Sequence, residues 1–170
     1  ILPAALAVLT VMLMTAAAEL SGEREILFPE IAAIAAGALI APKFAWKTSK
    51  LRLFVLICIG PAMGLLISMF VPFAPSVKLC IAFLTASLLF RFSGTTFAPV
   101  ISSVVLPVML GTDSVIYPIA AAVLTFLILM ERLLIEKLGV SEKPEFSPEP
   151  MPDKNAIILL AVRWLIGSIA

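Results

Sequence analysis

At 170 residues, 62% hydrophobic and only 14% charged, the chain is far more apolar than an ordinary soluble domain, which is roughly 45–50% apolar and about 25% charged. Twelve Lys and Arg against eleven Asp and Glu leave a net charge of +1, so no nucleic-acid partner is expected. With no His and only two Cys, the chain cannot build a Cys/His metal set, a His-based catalytic triad or a haem-attachment motif, and no cofactor is expected.

A helix needs about 20 residues to cross ~30 Å of hydrocarbon. Six stretches of roughly that size follow one another: Leu2–Leu20, Leu27–Pro42, Leu51–Val71, Val77–Phe92, Gly94–Leu110 and Val115–Lys137. Alternating barrel-type patterning is absent, because runs such as Ala120–Met130 are apolar on every helical face. The expected fold is therefore all-α, a polytopic transmembrane bundle of about six helices occupying residues 1–140. The second and fourth stretches are short enough to need shelter among neighbours.

Ser141–Asn155 changes composition abruptly, with Pro144, Pro148, Pro150 and Pro152 alternating with acidic residues. Proline removes backbone donors and favours extended chain, so 141–155 reads as a solvated linker. A seventh apolar run, 156–170, carries Arg163 and Trp164 in its middle and reads as the start of a further membrane helix that looks cut off. The alternative is an amphipathic helix lying in the interface.

Lys43, Lys47, Lys50, Arg52, Arg91, Arg132, Lys137, Lys143 and Lys154 fall at one set of connections, whereas Arg24 and Lys78 fall at the other. Basic residues near helix ends are retained on the cytoplasmic side, so the N-terminus and the linker are expected in the cytoplasm of a cell whose plasma membrane, such as a bacterial inner membrane, holds the chain.

The second and fifth stretches share a pattern. Phe28-Pro29-Glu30-Ile31-Ala32-Ala33-Ile34 parallels Phe97-Ala98-Pro99-Val100-Ile101-Ser102-Ser103, and each follows a break containing Ser and Gly. In the alternating topology they run in opposite directions, which suggests a 3+3 inverted repeat. Proline at a helix start leaves first-turn amides available, and small neighbours permit close approach. Two such starts facing one midplane site would suit a small anion. The alternative is ordinary interfacial capping with small residues serving helix packing. Glu30 has two readings as well: a first-turn acid favoured by the helix dipole, or a sheltered ionisable residue of a substrate site or proton relay. Glu131 and Arg132 read as lying near the inner membrane surface, where neither charge is costly, and Cys58 and Cys80 as small core residues.

With these residues located, the chain resembles the HPP family of small integral membrane proteins, named for a His-Pro-Pro motif. The likeness lies in the small-residue stretch Phe28–Ala33, in Thr95–Ser102 standing where the family has Thr-x-His-Pro-Pro-Ala-Gly-Ala, and in Leu106–Gly111 and Ile116-Tyr117-Pro118. It covers residues 1–138. The motif is altered, with Phe97 in place of His and Ala98 in place of the first Pro. Some relatives are associated with nitrite transport, so the resemblance implies a small-anion carrier or channel.

The expected function is thus membrane transport of a small solute through a site of Glu30, Thr95, Thr96, Pro99, Ser102 and Ser103, with the lipid bilayer and a second copy of the chain as candidate partners. The alternative is a non-catalytic assembly subunit of a membrane complex. No residue set supplies nucleophile, base and oxyanion stabilisation together, so no enzyme is expected.

Overall fold

The computed structural model describes residues 1–41 and 43–141, and these are all-helical. The expectations for the linker after Ser141 and for the run 156–170 lie outside the described residues.

Six helices follow in chain order: α1 (Leu2–Ser21), α2 (Glu30–Ala35, continued by a π segment Ala36–Ile40), α3 (Lys50–Phe70), α4 (Pro75–Ser93), α5 (Pro99–Leu110) and α6 (Ile116–Lys137). A single 3-10 turn, Arg24–Ile26, links α1 to α2. Four of them, α1, α3, α4 and α6, are long and apolar enough to cross a membrane. Their lengths of 20, 21, 19 and 22 residues match the hydrocarbon thickness. This is the build of an integral membrane protein.

The sequence sets most boundaries directly. Pro3, Pro75 and Pro99 stand in the first turns of α1, α4 and α5, where the missing N–H has no partner to lose. The Ser49 hydroxyl accepts the Arg52 amide at the start of α3, and the Ser114 hydroxyl accepts the Ile116 amide at the start of α6. Gly22 and Gly94 close α1 and α4 in the left-handed conformation, with φ of 74° and 60°.

Two expected boundaries need correction. The second helix begins at Glu30 instead of Leu27 and the fifth at Pro99 instead of Gly94, because the residues before them run in turns and extended backbone. Left-handed Gly94 ends α4, and Thr95–Ala98 lead on to the next helix without joining it. Consequently α2 and α5 are far shorter than the others. At ~1.5 Å per residue the 12-residue α5 reaches about 18 Å, too little to span. The order long, short, long thus occurs twice.

Side-chain contacts fix the relative directions. Lys50 at the start of α3 pairs with Glu136 near the end of α6, and Arg52 donates to the Ser93 carbonyl at the end of α4, so α3 is antiparallel to both. Gly60 of α3 abuts Ser103 and Gly64 abuts Pro107, so α3 and α5 are parallel. Phe28, just before α2, packs edge-on against Tyr117 at the start of α6, and Arg132 further along α6 reaches the Ala38 carbonyl at the end of α2. Those two helices are parallel. Thr10 of α1 bonds Glu131, while Glu25 in the turn after α1 bonds Thr112 just before α6. Hence α1 is antiparallel to α6. The six elements alternate in direction, and α2 opposes α5.

Charges segregate accordingly. Lys50, Arg52, Arg91, Arg132 and Lys137 lie at one end of the bundle, with Glu131 and Glu136 among them, whereas Glu19, Glu23, Glu25 and Asp113 lie at the other with only Arg24 and Lys78 among the described basic residues. The core between is built from fully buried Phe28, Ile31, Ile34, Leu53, Ile57, Phe97, Val100, Tyr117, Ile128 and Ile135. Cys58 is half-buried and Cys80 exposed, which corrects the core assignment of Cys80. It lies on α4, the least buried of the long helices, whose outward apolar surface suits lipid.

Candidate functional site

The two short helices meet inside the bundle, and their starts are built alike. Phe28 and Phe97 are fully buried. Each is followed by one turn residue, and each offers its carbonyl to an amide three residues on: Ile31 N–H to Phe28 O at 3.0 Å, Val100 N–H to Phe97 O at 3.3 Å. The next pair repeats, Ala32 to Pro29 at 3.2 Å and Ile101 to Ala98 at 2.9 Å. The sequence parallel between 28–34 and 97–103 is therefore a parallel of backbone conformation as well.

These bonds also alter the chemistry expected there. The first-turn amides were expected to be free for an anion, but tight turns bring the Phe28, Pro29, Phe97 and Ala98 carbonyls within reach and satisfy them. The Glu30 amide lies within reach of its own carboxylate. Pro99 has none.

Antiparallel packing brings Glu30 of α2 against Ser102 of α5, close enough for the hydroxyl to interact with the carboxylate. The Ser102 hydroxyl itself donates to the Pro99 carbonyl at 3.1 Å. Tyr117 of α6 lies within electrostatic range of Glu30. Glu30 is only 8% exposed and Tyr117 0%. Glu30 Oε2 and the Tyr117 hydroxyl are both buried without a hydrogen-bond partner, an arrangement that is expensive unless something else completes it. Ser102, Ala98, Ala32 and Ala33 are exposed, so the contact between α2 and α5 reaches the surface of the chain.

The remaining expected site residues serve the local architecture. Thr95 bonds Ser93 at 2.9 Å and accepts the Phe97 amide; Thr96 accepts the Lys47 amide at 2.9 Å, tying the loop before α3 to the start of α5. Ser103 is fully buried against Gly60 and donates to Val100 O at 2.8 Å. Trp46 fills the space between the halves. Its ring meets Phe97 edge-on at 4.9 Å and lies directly against Gly37, where any side chain would collide with it.

A second polar group was not expected. Arg132 is fully buried and donates to Glu136 at 2.7 Å and to the Ala38 carbonyl at 2.8 Å, with Phe44 stacked 5.5 Å from the guanidinium. Lys50 completes the pair on Glu136, and next to it Thr10 donates to both oxygens of Glu131 at 2.9 Å. Within the chain neither Glu131 nor Arg132 is a surface charge, because α1, α2, α3 and α6 close over them. Arg132 caps the C-terminal carbonyls of the short α2, where a cation is favoured by the helix dipole and lipid could supply no donor. The signal in the sequence was Arg132 and Glu136 four residues apart on one face of an otherwise apolar helix.

Among the described residues no group of three or more His, Cys, Asp or Glu could hold a metal ion. Comparison with known proteins finds no matching family model, no matching curated protein and no matching solved structure.

Proposed function

We propose that the chain is a carrier for a small solute, most simply a small anion such as nitrite, working at the Glu30–Ser102–Tyr117 contact of the two short helices. The observation that carries this reading is the meeting of two opposed, non-spanning helices inside a bundle of spanning ones. Helices that end inside the bilayer are tolerated only where protein or a water-filled cavity receives their irregular ends, and such broken helices are the usual ligand sites of transporters built from inverted repeats. The resemblance to the HPP family points the same way. In this reading α1–α3 and α4–α6 rock against each other where α2 meets α5, and Trp46 between Gly37 and Phe97 moves with them.

The positive-inside rule orients the carrier with its basic end, Lys50, Arg91 and Arg132, in the cytoplasm of a bacterial-type inner membrane. The N-terminus then lies inside as well. A second reading, a non-catalytic assembly subunit, is favoured by the local bonding of Thr95, Thr96 and Ser103, which leaves those hydroxyls serving as caps.

Reconstitution decides between them. Purified protein in proteoliposomes should accelerate uptake of at least one member of a panel of nitrite, nitrate, formate and chloride above protein-free vesicles. Folded protein that accelerates none of them, or any neutral solute of similar size, would leave the assembly role.

A further inference from the structure

Glu30 presents a difficulty for an anion carrier, because a buried carboxylate at the binding point repels the solute. The structure offers a resolution in its unpartnered atoms. Glu30 Oε2 and the Tyr117 hydroxyl are both buried with no hydrogen-bond partner, Tyr117 lies within electrostatic range of Glu30, and the surface opens at Ser102. The first-turn amides are consumed, so donors for an anion must come from side chains.

We infer that Glu30 takes up one proton for each monoanion bound, so that the carrier is an electroneutral proton–anion symporter; this rests on the carrier reading above. The balance is simple. The carboxylate accepts a proton and becomes a carboxylic acid, whose new O–H and the Tyr117 O–H then donate to two oxygens of an anion such as nitrite. Release of the anion returns the proton, and no net charge crosses. Ionised Glu30 excludes the anion and neutral Glu30 invites it, which is what couples the two flows.

The surroundings permit this assignment. From α6 the group facing Glu30 is Tyr117. The helix α5 contributes no ionisable residue at all, and the acid of α1, Glu19, lies at the same end of the bundle as Glu30 but is exposed. Glu25 of the preceding turn is held by Thr112, and Arg132 lies at the opposite end of α2 on Ala38 and Glu136. Among the described residues no basic side chain pairs with Glu30, which leaves the proton that task.

The test uses proteoliposomes carrying an internal pH dye, with nitrite and nitrate as probes and protein-free vesicles to subtract leakage of the free acid. Wild-type uptake should acidify the lumen by one proton per anion, speed up under an inward acid gradient and ignore a potassium–valinomycin potential. Glu30→Gln keeps a donor and the shape, so it should still move anion, but with no proton and with rates that follow the potential. Glu30→Asp should retain coupling at a reduced rate. Tyr117→Phe should weaken anion affinity by roughly tenfold, the loss of one hydrogen bond to a charged partner. Independently, difference infrared spectra on adding nitrate should show a protonated-carboxyl band that Glu30→Gln abolishes. Wild-type uptake that follows the potential without protons, or unchanged coupling in Glu30→Gln, overturns the inference and leaves the carrier standing. No anion flux by folded wild type removes both.

Discussion

The close parallel crossing of α3 and α5 places the short helix that bears Ser102, and it can be tested by adding single methyl groups. In an ordinary helix interior Gly→Ala stabilises by about 1 kcal/mol, through lower backbone entropy in the unfolded chain. At Gly64 the new Cβ would overlap the Val104 carbonyl of α5 and stand 3.0 Å from Pro107 Cγ. A backbone atom cannot rotate away, so the helices must separate, and overpacking of this kind costs about 1–3 kcal/mol. Gly64→Ala should therefore destabilise, a swing of about 2–4 kcal/mol from the ordinary helix effect. Gly60 makes a finer test. Its Cβ would meet the Ser103 hydroxyl, while Ser103 Cβ stands at a comfortable 3.5 Å. Gly60→Ala should cost less than Gly64→Ala, and adding Ser103→Ala should restore wild-type stability or exceed it. No side-chain change on α5 should rescue Gly64→Ala. Unfolding in detergent micelles, followed by circular dichroism against heat or SDS, reads each of these variants. A Gly64→Ala protein as stable as wild type, or more so, would refute the crossing.

Arg132→Met strands the Ala38 carbonyl and half of Glu136 in a dry interior and should cost about 3 kcal/mol or more in the same unfolding assay, whereas loss of exposed Glu19 to Gln should be neutral; equal stability would contradict the buried network. Thr96→Val removes the acceptor for the Lys47 amide and should cost about 1 kcal/mol in stability, while Ser102→Ala should leave stability alone and raise the KM of anion uptake several-fold. In a background with Cys58 and Cys80 replaced by Ala, a cysteine at position 23 should react with an impermeant maleimide in intact cells and one at position 47 should not; the reverse would invert the orientation.

Much of the fold was legible because its signals are physical necessities. Apolar stretches near the length of a bilayer crossing, Pro at helix starts and Gly at their ends mark α1, α3, α4 and α6 within a few residues. The short helices were harder: hydropathy runs straight through Leu27–Pro29 and Gly94–Ala98, and only the turn geometry around Phe28 and Phe97 shows that these residues lead on to helices without joining them. Of the candidate site, Glu30 and Ser102 could be named because an acid and a hydroxyl stood in the first turns of two similar segments. Tyr117 escaped, since nothing in its own segment indicates that α6 runs beside α2. The Gly60-to-Gly64 spacing and the Arg132/Glu136 pair were visible as patterns. Their meaning depended on which helix packs opposite, and an apolar sequence leaves that choice open because any lipid-compatible face can pack against any other.

The claim that solute passes between α2 and α5 at Ser102 is tested most directly by one substituted cysteine. In the Cys58→Ala/Cys80→Ala background, Ser102→Cys should react with a small water-soluble methanethiosulfonate, uptake in proteoliposomes should stop as it reacts, and the transported anion should slow the reaction in proportion to its occupancy. Complete modification of Ser102→Cys with uptake unchanged would contradict the account and move the path elsewhere.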